Sequence, residues 1–275
     1  MILVFDVGNT ETTVGLFTGE QLRGHWRLVT EVARTPDEFG VLLLALLERA
    51  GFDAQAVEGI AIGSVVPPVT GPLSQACALY FRVPPLVVDA RSRLPVRLEV
   101  DEPLTVGADR LINTLAASQL FGRDAIVVDL GTATTFDCIT ADGAFLGGII
   151  APGVRTSAET LTRRTSKLPA TELSLPTQVI GTRTEECIRA GVMYGAADAI
   201  DGLVRRLKGA WPRAEVPLVI GTGGLAETFG KVCREFTHIE PYLTLRGLQM
   251  AHAILSGGVA DTLATSPFAT GEYEP

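Results

Sequence analysis

The sequence predicts an α/β protein built from two similar lobes with a cleft between them. Two related segments support this prediction: DVGNT at 6–10 and DLGTATT at 129–135, each directly after an apolar run. The second segment begins 123 positions after the first, a spacing much longer than that of solenoid repeats. In each half, predicted strands come first and then alternate with helices, as in α/β domains. Two copies of a strand-ending turn indicate two lobes that face one ligand.

The first half is predicted to contain a three-strand meander followed by alternating helices and strands. A continuous apolar run predicts a buried first strand, and alternating polarity predicts the second. Thr35, followed by Pro36 and two acids, is typical of a capped helix start. The predicted strands are ILVFDV, TTVGLF, HWRLV, GIAIGSVV and PLVVDA, and the predicted helices are FGVLLLALLERA and VTGPLSQACALYF.

The second half repeats this plan. A helix is predicted to begin near Ala108 and to lead into a second meander. We place the domain boundary within or just after that helix, which gives an N-terminal lobe over 1–118 and a C-terminal lobe over 119–275. The predicted strands are AIVVDLG, TTFDCIT, AFLGGIIAP and VPLVIGTGG, and the longer predicted helices cover 154–164 and 182–209.

The composition is that of a folded, acidic protein. Hydrophobic residues make up 47% of the 275 residues and charged residues 20%, which is sufficient for a packed core and atypical of disorder. The net charge of −8 argues against non-specific nucleic-acid binding, which needs a basic surface. An anionic small ligand stays compatible with this charge, because a nest of backbone N–H groups binds phosphate locally. We therefore expect no nucleic-acid partner.

The scattered cysteines and histidines predict neither a zinc site nor a disulfide framework. The four cysteines form no CxxC pair, and the three histidines lie far apart, so reduced buried thiols are expected. The N-terminus meets an acid at Asp6 and lacks the basic region of a signal peptide. No apolar run approaches the ~20 residues that span a bilayer. The sequence thus predicts a cytoplasmic protein without membrane partners.

The residue types in the repeated turns suit phosphate binding. Gly8 permits close backbone approach, and Asn9 and Thr10 add side-chain donors. Asp6 can hold a hydrated Mg²⁺, which usually keeps several waters and bridges to phosphate. The second copy repeats the small hydroxyl residues, and its Asp129 offers another cation ligand. A third glycine-rich strand end, at 221–224, provides a backbone against which a nucleotide can lie.

Each of these segments alone has a simpler explanation. A lone DVGNT is more often an ordinary turn with a side-chain to backbone hydrogen bond, and a strand-ending GTGG more often only leads into a helix. Their occurrence in order, at equivalent points of two similar halves, favours the phosphate-binding interpretation. The sequence contains no GxxxxGK[ST] motif, and no GxGxxG follows the first strand, which argues against P-loop and dinucleotide-binding folds.

Further motifs connect these segments to a known family. The relevant stretches are RTPDEF at 34–39, GSVVP at 63–67, GADR at 107–110, DLGTATTFD at 129–137, GGIIAPG at 147–153, KLP at 167–169, TEE at 184–186, GV at 191–192 and TGG at 222–224. With DVGNT, they make the sequence resemble the type III pantothenate kinases, which belong to the actin/hexokinase/Hsp70 class. The resemblance implies two ribonuclease H-like (actin-like ATPase) lobes. GADR followed by DLGTATT is its most specific part.

The resemblance implies a reaction and a set of site residues. Family members use ATP to phosphorylate the primary alcohol of pantothenate, giving 4′-phosphopantothenate in the first step of coenzyme A biosynthesis. Asp109 would be the general base, Asp129 the ligand of a monovalent cation, K⁺ or NH₄⁺, and the enzyme a homodimer. The residues implied in ATP binding are Asp6, Val7, Gly8, Asn9, Thr10, Glu11, Thr12, Thr13 and Thr132; those implied in pantothenate binding are Gly107, Ala108, Asp109, Arg110 and Thr184.

Most of these roles have a structural alternative. Asp109 also suits the positive end of a helix dipole, an effect worth under about 1 kcal/mol. Asp129 is also suited to position a second Mg²⁺. Thr184 is also suited to cap the long helix together with Glu185 or Glu186. Arg110 either binds the substrate carboxylate or orders its loop.

Two further features leave alternatives open. Family members often carry Tyr where this sequence has Val100, so a substrate contact there is expected to be weaker or supplied elsewhere. The helix containing GVMYGAADAI is a plausible dimer surface, although burial in its own lobe is the commoner role of such a face. A transcription accessory factor and another kinase of the same superfamily are the competing functions; the acidic charge disfavours the first and GADR the second.

Overall fold

The computed structural model describes residues 1–264, with side chains through residue 257. The first sheet has β1 antiparallel to β2 and parallel to β4, in the order β3-β2-β1-β4-β5. These strands are β1 (Ile2–Val7), β2 (Glu11–Thr18), β3 (Gln21–Val29), β4 (Gly59–Ser64) and β5 (Leu86–Val88). The predicted meander and the two later strands of the first half are confirmed.

Two helices, α1 (Pro36–Arg49) and α2 (Pro67–Ala76), cover the outer face of this sheet. The predicted helix start is confirmed: the Thr35 hydroxyl accepts a hydrogen bond from the Glu38 N–H, and the Glu38 carboxylate accepts one from the Thr35 N–H. This reciprocal pair satisfies two backbone donors at the helix terminus. Phe39, Leu43 and Leu47 recur at helical spacing and are buried against the sheet.

The second sheet repeats the arrangement of the first around β7, which is antiparallel to β8 and parallel to β10. Its order is β11-β10-β7-β8-β9-β6. The strands are β6 (Arg97–Leu98), β7 (Ala125–Leu130), β8 (Ala133–Ile139), β9 (Ala144–Pro152), β10 (Leu218–Thr222) and β11 (His238–Ile239). Apart from β6, the two sheets have the same topology, which confirms the predicted pair of similar lobes.

The outer face of the second sheet packs against α4 (Val154–Arg164), α5 (Thr184–Gly209) and the short α6 (Ala226–Phe229). Met193 and Val204 of α5 are among the residues fully buried there. This face of α5 therefore serves the core of its own lobe, which was one of the two roles that its sequence allowed.

Two helices lie between the sheets: α3 (Ala108–Phe121) and the last helix, α7 (Leu243–Ala264). Ile112 and Leu115 of α3 pack toward the first sheet, whereas Ala116 and Ala117 pack toward the second. A Cβ atom added to Gly247 of α7 would lie 2.5 Å from the Ile112 carbonyl oxygen, so the glycine permits close helix contact. The inter-sheet layer is therefore held by small and apolar side chains on both helices.

Two elements pack with the lobe on the other side of a boundary drawn between residues 118 and 119. β6 precedes that point but pairs with β9 of the second sheet, and α7 follows it but packs against β1 and β4. The division into 1–118 and 119–275 stays a prediction, and residues 265–275 lie outside the described residues. None of the helices in the described part is long and apolar enough to cross a bilayer.

The cysteines differ in their environment. Cys77, Cys138 and Cys233 are buried, as expected, and burial raises the pKa of the Cys77 and Cys233 thiols to about 12. Cys187 of α5 is exposed, so the expectation of a buried thiol is wrong at this position. Cys187 lies in the first turn of α5, at the surface of the lobe, where the thiol is exposed to solvent.

Candidate active site

The two predicted turns face each other across the inter-lobe cleft. The turn after β1 and the turn after β7 occupy equivalent ends of the two central strands. The Thr132 hydroxyl donates a hydrogen bond of 2.9 Å to the Thr10 hydroxyl, which joins the two lobes directly. A cavity of about 260 Å³ opens beside this contact. Duplication of the turn has therefore placed two similar surfaces on one cavity.

Most residues implied in ATP binding line this first cavity. They are Asp6, Gly8, Asn9, Thr10, Glu11, Thr13 and Thr132. Val7 and Thr12 are buried behind the cavity wall instead. The Thr12 and Thr30 hydroxyls are hydrogen-bonded at 2.9 Å, and Thr30 also donates to the Gly8 carbonyl at 2.7 Å. In this structure, Thr12 thus supports the turn through its neighbours.

Two glycines, Gly8 and Gly223, relieve crowding in the backbone of the cleft. The Gly8 N–H donates to the Glu11 carbonyl at 3.0 Å, and a Cβ atom at Gly8 would lie 3.0 Å from that same oxygen. Gly223, after β10, has φ +86°, and its added Cβ would lie 2.5 Å from Asp129 Oδ1. A side chain at Gly223 would therefore be strained and would displace the Asp129 carboxylate.

Three carboxylates converge on the first cavity: Asp6, Asp109 and Asp129. Burial raises the pKa of Asp6 well above its ordinary value, and the negative charges of Asp129 and Asp109 raise it further. Burial and the charge of Asp109 raise the pKa of Asp129 to about 6, against the opposing effect of a hydrogen bond from Asn113. Acidic groups so placed are stabilised in their charged form by a bound cation.

The donor set fits a cation that takes only part of its coordination from protein. Among the side chains that the structure describes, no group of three His, Cys, Asp or Glu residues is arranged to hold a metal ion by itself. Mg²⁺ normally keeps several waters and is held by one or two carboxylates plus substrate phosphates. Asp6 and Asp129, which line the same cavity from different lobes, fit that pattern.

A buried relay supports Asp129 from the helices between the sheets. The Asn113 amide of α3 donates to Asp129 Oδ2 at 3.2 Å, and the Thr244 hydroxyl of α7 donates to Asn113 Oδ1 at 2.9 Å. Because Thr244 donates to the amide oxygen, the NH₂ group is directed toward the carboxylate. Asn113 and Thr244 are both buried, so the relay is shielded from water.

A second cavity of about 460 Å³ adjoins the first. Asp109 lines both cavities, and Gly107 and Arg110 line the second. Asp109 stands in the first turn of α3, where a Cβ atom on Gly107 would lie 2.4 Å from its Oδ1. Gly107 therefore makes room for the carboxylate, while Ala108 is buried beneath the turn.

Arg110 is held by a carboxylate and an aromatic ring. Its Nε donates to Asp137 Oδ1 at 2.6 Å, and its Cζ lies 4.8 Å from the centroid of the Phe145 ring. Burial raises the pKa of Asp137, and the guanidinium of Arg110 limits that rise. Both structural and substrate-binding roles of Arg110 stay compatible with this position, since it also lines the second cavity.

Two other sequence predictions concern the second cavity. Val100 lines it, at the position where family members often carry tyrosine. Thr184 lines neither cavity within a single chain and is exposed at the start of α5. Its alternative role as the cap of the long helix with Glu185 or Glu186 is wrong, because Arg183 occupies the cap position. The Glu186 carboxylate accepts instead from the Thr182 N–H at 2.9 Å and from the Thr182 hydroxyl at 3.1 Å.

Several cavity residues were not predicted from the sequence. Arg27 of β3 and Arg155 of α4 line the first cavity from opposite lobes, together with Thr156, Glu159 and Leu225. Arg27 lies in a strand with alternating polarity, a pattern that predicts only a half-exposed strand and gives no sign of a cavity residue. Arg155 lies two positions after the GGIIAPG stretch, in the first turn of α4, and this position at the start of a helix was the available signal.

The duplicated topology, with a cleft between the two lobes, is that of the actin/hexokinase/Hsp70-like fold class. A solved structure of the activator of 2-hydroxyisocaproyl-CoA dehydratase from Clostridium difficile, with bound ADPNP, shares the fold with a TM-score of 0.56. It has 11% sequence identity, over 98% of this chain and 99% of that chain.

Sequence comparison narrows the class to a family. The family model for type III pantothenate kinase matches residues 2–206. The type III pantothenate kinase of Halalkalibacterium halodurans is 44% identical over 252 residues, and that of Roseiflexus castenholzii is 45% identical over 252 residues. Each alignment covers 92% of this chain and 98% of the relative. The chain belongs to the type III pantothenate kinase family.

Proposed function

We propose that this chain transfers the γ-phosphoryl group of ATP to the primary alcohol of pantothenate, as the first step of coenzyme A biosynthesis. The main observation in support of this proposal is that Asp109 lines two adjoining cavities, one between the two predicted phosphate-binding turns and one beside Arg110. A phosphoryl donor in the first and an alcohol in the second would meet at this carboxylate. Family membership supports the choice of substrates.

The first cavity is proposed to hold the ATP phosphates. The turn at 6–13 and Thr132 supply backbone N–H groups and hydroxyls from both lobes, and the small residues permit close approach. The Thr10–Thr132 hydrogen bond lies at the point where the phosphates would bridge the lobes. Alignment of the two reactants and neutralisation of phosphate charge should supply most of the rate enhancement.

Asp109 is proposed as the general base. A carboxylate positioned beside a neutral alcohol accepts its proton while the new P–O bond forms, which makes the oxygen a better nucleophile. The position in the first turn of α3 is compatible with this role, because it places Asp109 at both cavities. Gly107, Ala108 and Arg110 are proposed to complete the pantothenate site.

Two cations are proposed to assist. Asp6 would hold Mg²⁺ through water, and Asp129 would bind a monovalent cation, K⁺ or NH₄⁺. When bound, these ions offset the negative charge of the phosphates and of the three convergent aspartates. The raised pKa values of Asp6 and Asp129 support this proposal, since they reflect carboxylates that are costly to charge without a counter-ion.

The chain is also proposed to work as a homodimer in the cytoplasm. Thr184 is exposed and lines neither cavity, so its implied contact with pantothenate would be made in a partner subunit. The exposed glycines of α5, including Gly191 and Gly195, offer a surface on which a second copy can approach closely.

The proposed reaction is tested by incubating the purified chain with pantothenate, ATP, Mg²⁺ and K⁺ and identifying the product by mass spectrometry. We expect phosphopantothenate, with the phosphate on the primary alcohol. Glucose and acetate serve as control acceptors, because other kinases of this fold class act on sugars or acids. Absence of phosphopantothenate with a folded protein, or preferred phosphorylation of a control acceptor, would refute the proposal.

A further inference from the structure

One buried carboxylate beside the second cavity has no role in the proposed mechanism. Asp137 lies in the middle of β8 with no exposed surface. A charged side chain in such a place is costly unless it is paired with an opposite charge. Its partner is Arg110, whose Nε lies 2.6 Å from Asp137 Oδ1.

The guanidinium of Arg110 is fixed on two sides. Asp137 holds the Nε edge, and the ring of Phe145 lies against the face, 4.8 Å from Cζ to the centroid. Both Arg110 and Phe145 line the second cavity. With one edge and one face occupied, the side chain retains little freedom to rotate, and its remaining edge has a defined direction.

The rest of the guanidinium is left without a partner. Nη2 of Arg110 is buried and, like Asp137 Oδ2, has no hydrogen-bond partner among the described residues. On β9, the residue paired with Asp137 is Gly148. A Cβ atom added to Gly148 would lie 3.1 Å from Nη2 of Arg110. Buried guanidinium nitrogens are normally hydrogen-bonded, so an unpartnered one beside a cavity indicates a place for a ligand acceptor.

We propose that Asp137 is a positioning residue, which holds Arg110 so that the free part of its guanidinium binds the carboxylate end of the acceptor. Guanidinium and carboxylate groups form short, charge-assisted hydrogen bonds whose strength depends on orientation. Asp137 also balances the charge of Arg110 when no acceptor is present. This inference rests on the proposed function, because the acceptor must carry a carboxylate in the second cavity.

The test compares Asp137→Ala and Asp137→Asn with the wild type in steady-state assays that vary pantothenate. We expect Asp137→Ala to raise the KM for pantothenate about 10-fold or more, with kcat changed less than about threefold, because an orientation for binding is lost. Asp137→Asn should have an intermediate KM, since the amide oxygen still accepts from Nε. This near-isosteric variant carries the test if Asp137→Ala does not fold.

A double-mutant cycle separates positioning from a general structural effect. If Asp137 acts through Arg110, adding Asp137→Ala to Arg110→Met should change KM by less than about twofold. Asp124→Asn is the matched control: Asp124 is also buried and faces Arg213, but it lines neither cavity. It should reduce thermal stability and leave the KM for pantothenate unchanged.

The outcomes distinguish this inference from the function on which it rests. If the wild type does not phosphorylate pantothenate, both fail. If the wild type is active but the folded Asp137 variants keep its KM, lose kcat alone, or show effects that multiply with Arg110→Met, the positioning role is refuted and the kinase activity stands.

Discussion

At the scale of single residues, the site depends on where acidic groups stand relative to the two cavities. Asp109 is within the first turn of α3 and borders both cavities, whereas Asp6 and Asp129 border only the first. The helix-dipole and general-base interpretations of Asp109 are compatible, because an acid in the first turn of a helix can also border a cavity. The helix dipole alone does not explain why Asp109 borders both cavities.

Asp109→Asn should reduce kcat about 10²-fold or more, because the amide cannot accept the alcohol proton as the phosphoryl group is transferred. ATP binding should persist, since the turns that line the first cavity are unchanged. Steady-state kinetics and isothermal titration with ATP measure the two quantities.

The control for this change is Asp101→Asn. Asp101 is an exposed aspartate shortly before α3 and lines neither cavity, so its loss should leave kcat within about twofold of the wild type. Full turnover by a folded Asp109→Asn enzyme would show that Asp109 is not the base.

At the scale of elements, three of them are joined by the relay from α7 through α3 to β7. Thr244, Asn113 and Asp129 form this chain of hydrogen bonds. The last helix thus supports the C-terminal end of the central strand of the other sheet. Removing one donor from a buried chain leaves its acceptor unsatisfied, at a cost of about 1–3 kcal/mol.

Thr244→Val should weaken the hydrogen-bonded support of Asp129 and so reduce the affinity of the proposed K⁺ site. With the hydroxyl gone, the Asn113 amide is free to turn, and its NH₂ group no longer has to face Asp129. We expect the K⁺ concentration for half-maximal activity to rise about fivefold. The K⁺-induced rise in melting temperature should shrink in parallel, and Thr244→Ser should restore both.

The matched control removes a similar hydroxyl from the same layer. Thr114 of α3 is fully buried, and its hydroxyl donates to the Arg110 carbonyl within the same helix. Thr114→Val should cost stability but leave the K⁺ dependence unchanged. If the K⁺ concentration for half-maximal activity shifted equally in both variants, or did not shift in Thr244→Val, the relay would have no role in cation binding.

At the scale of the whole molecule, the duplication is the part of the fold that the sequence reveals best. The two meanders have long apolar runs and clear turns, so local patterns suffice to place them. β6 has two residues in a Pro- and Arg-rich passage, and no local pattern identifies so short a strand. Its pairing with β9 is a tertiary contact.

The position of α7 between the two sheets also could not be predicted from the sequence. An apolar helix predicts burial but not which sheet it packs against. The cavity residues divide in the same way. Gly8, Thr10 and Thr132 stand in recognisable turns, whereas Arg27 and Arg155 reach the cavity only because strand and helix bring them there. Thr184 was predicted from family resemblance alone, and it lines neither of the two cavities described above.

A dimer through α5 would be disrupted by Gly195→Arg. Gly195 is exposed with open space around its added Cβ, so the folded monomer should tolerate the side chain, while a closely approaching second helix would not. Sedimentation equilibrium should show a dimer for the wild type and a monomer for this variant.

Gly209→Arg is the control, because Gly209 has the same open surroundings at the far end of α5. It should stay dimeric. A monomeric wild type would contradict the proposed homodimer, and a dimeric Gly195→Arg would place the interface elsewhere.

The central claim is direct transfer between reactants held together in two adjoining cavities, with Asp109 as a base and not as a phosphate carrier. The most direct test measures initial rates with pantothenate varied at several fixed concentrations of Mg·ATP in K⁺ buffer. Double-reciprocal plots should give lines that intersect, because both substrates must be bound before either product leaves. Parallel lines, which indicate a covalent phosphoenzyme intermediate, or no phosphopantothenate at all, would contradict the account.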